Sequence, residues 1–449
     1  MEASLAHNKH RIQNNGTLIL GVVLLVIAAG LLVKPFMPAP AVSSSPTVDA
    51  EALLATGGQA TDRYTDRVIR DMQARLKSEP GDYKAHASLG VAYQQKARET
   101  NDPAYYSEAE KSFIQALQLK PDDYNSLAGM GALELSRHNF TSALDWANRA
   151  QRVIPDKAYA YGVAGDAHIE LGNYDEAVAA FQKMVDLRPD LSSYARVSYA
   201  RELHGDVDGA IQAMQQAVAA GGPAAENTAW CRVQLGHLFF NSNRLDDAEK
   251  TYVDALAGYP GFTHAQAGLA QVRWAQGKTA EAIDLYKQAN ASVPLPQYIA
   301  ALGDIYASTG DKQAATEQYD LVSYIYDLQR KGGVVVDVEQ AAFYADHDMQ
   351  LDEALKLAQT AAQGRNDVNT LDTLAWALYK NGRYEEALSA QRKAMRLGTR
   401  NAAFYYHLGM IQKALGMTDE ARISLEIAMA INPNFSPIYS PQARAFLDQ

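Results

Sequence analysis

The chain has 449 residues, 47% of them hydrophobic, enough for a large core and, at ordinary domain sizes, for roughly three domains unless a repeat uses up the length. A formal charge of −11 with no basic stripe argues against nucleic acid as a partner, because no surface is set up to neutralise phosphates. The single cysteine, Cys231, excludes an internal disulfide, a cysteine metal cluster and a lipoprotein anchor after the hydrophobic segment; it reads as a small core or groove-edge residue.

From the N-terminus, residues 17–33 read TLILGVVLLVIAAGLLV, seventeen residues without a charge. As a helix they would measure about 25 Å, the short end of a bilayer span. Lys9 and Arg11 precede the run and only Lys34 follows closely. The positive-inside rule therefore keeps residues 1–16 in the cytoplasm, places a transmembrane helix at 17–34 and sends the rest of the chain across. An uncleaved signal anchor is the favoured reading; a cleavable signal peptide, with Ala39-Pro40-Ala41 as its site, is the alternative. Residues 35–62, rich in proline, serine and alanine, form a tether with a reach of roughly 30 Å.

Residues 63–82 hold a lone helix, Asp66 to Lys77, whose apolar face of Val68, Met72 and Leu76 suits a cap. Then a pattern begins and does not stop. Ten alanines fall in register: Ala109, Ala143, Ala177, Ala210, Ala248, Ala282, Ala315, Ala354, Ala387 and Ala421. Their gaps are 34, 34, 33, 38, 34, 33, 39, 33 and 34, the stride of a two-helix solenoid unit. A small residue stands twelve before most of them, among them Gly131, Gly165, Gly236, Gly303 and Gly409, and another stands seven after most. Small residues at both places let two antiparallel helices cross closely. Glycines such as Gly172, Gly205 and Gly382 end the first helix of a unit, and Pro121, Pro155, Pro189, Pro260, Pro294 and Pro433 end the second. Four units lack that proline, and the run from Tyr319 to Val336 predicts a long second helix. Pro441 to Leu447, within 435–449, reads as a closing cap.

The combination of L-G, Y, G-x-Y-x-E-A, F, A and P resembles the tetratricopeptide repeat. Leu302-Gly303, Tyr306, Gly310, Ala315 and Tyr319 carry it in one unit; Gly172, Tyr174, Glu176-Ala177, Phe181 and Pro189 carry it in another. The resemblance implies an all-α, right-handed solenoid of about ten units over 83–434, capped at both ends. It also implies that the first helices line a concave groove. Its usual groove positions carry over to Tyr159, Tyr199, Trp230, His237, Phe240, Trp274, Phe343, Trp376, Tyr379 and Tyr406, with Asp304 and Asp372 among them. These rings either receive an extended peptide or partner helix, or pack between neighbouring units. The lysine–asparagine carboxylate clamp of one branch of the family is missing: Ala128, Gly162 and Ala267 are among the residues at its positions.

Chemistry finds no foothold in the sequence. None of the ten histidines has metal-ligand spacing, and no phosphate-loop, nucleophile-elbow or dinucleotide motif occurs in a strand-to-helix setting. Pairs such as Asp175-Glu176 recur at helix starts, where carboxylates favour the positive end of the dipole. No cofactor or metal is expected. The reading is a non-catalytic, membrane-anchored bacterial scaffold for protein or peptide partners in envelope assembly, secretion or maturation. A substrate-recruiting, non-catalytic subunit of a membrane enzyme or translocase is the alternative.

Overall fold

The structure, a computed structural model, describes residues 64–449 apart from 101, 223–225 and 332–333. The proposed tail, transmembrane helix and tether lie outside the described residues. Among the described residues no helix is long and apolar enough to cross a membrane.

The described residues form 22 helices and no strand. The first, α1 (Tyr64–Ser78), precedes ten antiparallel pairs. Repeats 1 to 3 are α2 (Tyr83–Thr100) with α3 (Ala104–Leu119), α4 (Tyr124–Ser136) with α5 (Phe140–Val153), and α6 (Tyr159–Glu170) with α7 (Tyr174–Leu187). Repeats 4 to 6 are α8 (Leu191–Leu203) with α9 (Val207–Ala220), α10 (Glu226–Asn241) with α11 (Leu245–Gly258), and α12 (Thr263–Ala275) with α13 (Thr279–Ser292). Repeats 7 and 8 are α14 (Pro296–Ser308) with the long α15 (Lys312–Lys331), and α16 (Asp337–Asp346) with α17 (Leu351–Gly364). Repeats 9 and 10 are α18 (Val368–Lys380) with α19 (Tyr384–Ala394), and α20 (Ala402–Ala414) with α21 (Thr418–Ile431); α22 (Tyr439–Leu447) closes the array.

The recurrent alanines are where the helices of a pair meet: all ten are buried. The side chain four residues later lies flat on the small residue of the first helix. Phe181 covers Gly165, Tyr252 covers Gly236 and Tyr319 covers Gly303, so tightly that a methyl group at any of these glycines would collide with the ring. Backbone register, not residue type, sets the turn inside nine of the ten pairs, repeats 2 to 10. Gly172, Gly205, Gly277, Gly310, Gly382 and Gly416 have φ between 73° and 86°, and where glycine is missing, His138, Asn243 and Asp348 take the same left-handed conformation.

The solenoid then meets itself. Of the last-turn carbonyls of the first helices in repeats 3, 4 and 5, those of Glu170 and Leu203 take no local backbone donor, and that of Phe240 accepts from Asn243 N–H at 2.9 Å. They are capped by donors 192 to 196 residues further along: Asn366 N–H donates to Glu170 O (3.0 Å), Thr399 Oγ1 to Leu203 O (2.5 Å) and Asn432 Nδ2 to Phe240 O (3.1 Å). Around them Arg365 pairs with Glu170 at 2.6 Å and Asp367 at 3.4 Å, Val368 N–H donates to Tyr174 Oη (2.9 Å), and the Arg396 guanidinium lies 5.1 Å from the Tyr174 ring. Cations at a helix C-terminus also match the sign of its dipole. Repeat 2 extends the line, since His138 shares a cleft with Val335, Asp337 and Arg365. One superhelical turn is thus stitched to the next between five and six repeat periods along the chain.

Candidate functional site

Closure leaves little open space inside. A helix that is apolar all round has no solvent face, and the first helices of repeats 2 and 3 are built that way. In α4 every residue from Ser126 to Leu135 is buried, and in α6 ten of twelve are. The second helices keep one exposed polar face and form the outer wall; in α7 only Tyr174, Ala177, Phe181 and Met184 are buried. On α15 the overhang leaves Leu321, Tyr324 and Leu328 exposed along one stripe.

The ten groove positions divide into two sets. Tyr159, Phe240, Phe343, Trp376 and Tyr406 are buried, none more than 7% exposed, and pack between repeats. Tyr199, Trp230, His237, Trp274 and Tyr379 are half-buried. Tyr199 Oη accepts from Asn369 Nδ2 at 3.2 Å, which ties it to the seam. Trp230 packs edge-on against His264 with centroids 4.8 Å apart, while its indole N–H has no hydrogen-bond partner. His237 shares a 2.7 Å hydrogen bond with Tyr252 Oη, and burial pushes its pKa down to about 4, so it is a neutral packing residue near neutral pH. Burial also lowers His264 to about 4, with the neighbouring His237 adding to it.

In repeats 3 and 4 the inner face is closed by a salt bridge. Arg196 Nη2 and Asp166 Oδ2 are 2.6 Å apart and both side chains are almost wholly buried. Arg196 also donates to Ser192 Oγ and backs onto Gly162, where a methyl group would sit 3.2 Å from the guanidinium. Burial raises Asp166 to about 6 against the pull of Arg196.

Space remains on the inner face of repeats 6 to 10. A cavity of about 270 Å³ is lined by Trp274, Tyr286, Asp304, Asp346, His407 and Tyr439, with the 434–438 stretch as one wall. Of the ten groove residues, Trp274 alone lines it. Behind it Trp376 stacks on Tyr379 (4.7 Å, 8°) and on His407 (4.2 Å, 15°), and its indole N–H donates to Asp346 Oδ1 at 2.9 Å. Tyr439 Oη donates to Asp346 O at 2.7 Å. Asp304 Oδ1 accepts from Tyr319 Oη (2.9 Å) and pairs with His347 Nε2 (2.8 Å). Burial alone would lower His347, but the hydrogen bond and charge of Asp304 lift it above its ordinary value. Asp372, the other acidic groove residue, is engaged by His407 Nδ1 at 3.0 Å and Gln391 Nε2 at 2.7 Å.

Sequence reasoning missed Asp346, His407 and Tyr439. The first two sit on first helices and were within reach of the repeat register. Tyr439 was not, because it comes from beyond the last repeat. Among the described residues no group of three or more His, Cys, Asp or Glu is placed to hold a metal ion, and Cys231 is buried with its thiol pushed up by that burial.

Comparison with known proteins agrees with the repeat register. Models of the tetratricopeptide repeat match residues 150–192, 163–226 and 233–294, then 368–401 and 402–435. The chain is 27% identical over 231 residues, 51% of its length, to cellulose synthase 1 operon protein C of Komagataeibacter xylinus. It is 27% identical over 186 residues, 40% of its length, to anaphase-promoting complex subunit 7 of Arabidopsis thaliana. It spans only 15% and 33% of those relatives. Among solved structures a human IFIT1 dimer with m7Gppp-AAAA aligns with 74% of the chain and 76% of its own, at 15% identity and a TM-score of 0.48.

Proposed function

We propose that this chain, a tetratricopeptide-repeat protein, is a non-catalytic scaffold that holds an extended protein or peptide partner on the inner face of repeats 6 to 10. One observation carries the reading: the described residues are spent largely on helix packing and on the seam, and the inner face keeps a cavity of about 270 Å³ walled by aromatic and carboxylate side chains. Rigid aromatic rings with a few fixed polar groups are what peptide recognition uses. The uncharged run at 17–33 and the tether after it support a body held at a bacterial cytoplasmic membrane, on its outer side. A second reading, a substrate-recruiting subunit of a membrane enzyme, gains some support from a relative named for a cellulose synthase operon.

A photoreactive phenylalanine analogue in place of Trp274 tests the groove, with the same group at exposed Lys250 on the outer wall as control. Cross-linked partners from position 274 and none from 250 are expected; equal labelling from both positions, or none from 274, overturns the site. Chymotrypsin added to sealed spheroplasts should degrade the repeat body. A protected body overturns the topology.

A further inference from the structure

We infer that the repeat 6–10 cavity is a receptor for one basic side chain, arginine in preference to lysine, of the partner segment. The inference rests on the peptide-binding reading above and specifies the partner's chemistry.

Volume comes first. About 270 Å³ is several times the ~30 Å³ share of a water molecule and falls just below the ~300–1,000 Å³ of sites that engulf a whole ligand. It fits a side chain rather than a free metabolite. Charge comes second. Asp304 and Asp346 both line the space and no lysine or arginine does; the two neighbouring imidazoles are already engaged, His407 by Asp372 and His347 by Asp304 Oδ1.

The two carboxylates are also half-satisfied. Asp304 Oδ1 is fixed by Tyr319 and His347, and Asp346 Oδ1 by Trp376. The Oδ2 of each has no hydrogen-bond partner among the described residues. Burial pushes Asp346 up, while His407 and His347 pull it down and the charge of Asp304 pushes it up by less. Wall chemistry comes third. Trp274, Tyr286, Phe435 and Tyr439 present aromatic surface to the same space, and a guanidinium stacks on such rings while donating in-plane to carboxylates. An ammonium has the charge but lacks the plane.

The test uses the full chain and pentapeptides Ac-Ala-Ala-X-Ala-Ala-amide, with X arginine, lysine, citrulline or glutamate, titrated by calorimetry. Citrulline keeps the shape of arginine and removes the charge. The arginine peptide should bind at least tenfold tighter than the citrulline peptide, lysine should fall between them, and glutamate should not bind. Asp304→Asn and Asp346→Asn should each bring arginine to within about twofold of citrulline. Ala301→Phe, which fills the cavity and keeps both carboxylates, should abolish binding. Thermal unfolding of each variant separates lost binding from lost fold.

Equal binding of the arginine and citrulline peptides, or arginine binding indifferent to all three variants, overturns the inference. If that happens while Trp274 still cross-links a partner, the scaffold reading stands and the basic-residue specificity alone falls. Should neither peptide bind and nothing cross-link, both fall.

Discussion

The junctions after repeats 3 and 8 occupy the same place in the repeat and do different work. After repeat 3 the chain carries Pro189, twelve residues beyond Ala177, and among the described residues no backbone hydrogen bond joins this junction to a distant repeat. After repeat 8 the equivalent residue is Asn366, twelve beyond Ala354, and its backbone N–H caps Glu170 O. Repeat 9 has Thr399 there, whose hydroxyl caps Leu203 O. Proline stops a helix but has no N–H to give. At two of the three stitches the proline is replaced by a donor; at the third Pro433 is kept and the residue before it, Asn432, donates. A departure from a repeat consensus can therefore mark a tertiary contact instead of a decayed repeat.

The largest effect that would sharpen this contrast is expected at Arg365. Arg365→Met leaves Glu170 and Asp367 buried without their cation, at a cost of about 3–5 kcal/mol in denaturant unfolding. Next come two glycines with nearly the same backbone, φ 77° at Gly172 and φ 73° at Gly382. Gly382→Ala meets open space and costs about 1–2 kcal/mol for the left-handed residue alone. At Gly172 the new methyl lies 2.5 Å from Asn366 O, and overpacking adds about 1–3 kcal/mol. Equal losses at the two glycines would break the comparison.

Asn366→Pro restores the consensus and should still destabilise, by about 1–3 kcal/mol, because a buried helix-end carbonyl loses its donor. Pro189→Asn, the reverse change outside the seam, should cost about 0.4–1 kcal/mol through the freer unfolded chain.

The histidines of repeats 5 and 6 give a pH-dependent check on the packing between first helices. His237 and His264 have folded pKa values near 4, below their ordinary 6.5, so the unfolded chain takes up protons first as pH falls. Their contribution is fully present above pH 6.5 and is lost between 6.5 and 4, up to about 3 kcal/mol for each. His264→Gln should flatten that part of the stability–pH curve. Smallest of all is Lys250→Ala, which breaks an exposed pair with Asp254 and should change stability by less than about 0.5 kcal/mol.

Most of the architecture was legible because it is local and periodic. The stride of the alanines, the helix-ending glycines and prolines and the long second helix of repeat 7 all report contacts within about one repeat. Tight crossings such as Gly165 under Phe181 follow from the same register. The seam was not legible, since Glu170 and Arg365 are 195 residues apart and no periodicity links them. Its trace was the missing prolines, readable as a signal only once the path of the superhelix is known. In the groove, register chose the right helices but could not separate Trp376, sealed in by its neighbours, from Trp274, which lines the cavity.

The most direct measurement is a distance across the seam. Spin labels on cysteines introduced at exposed Asn173 and Lys393, with buried Cys231 left in place, report the separation of repeats 3 and 9 in solution. A stitched superhelix predicts a narrow distribution below about 25 Å, only a few helix spacings of ~8–10 Å. A broad distribution, or one centred beyond about 40 Å as an open array of the same ~8–10 Å steps would give, contradicts closure.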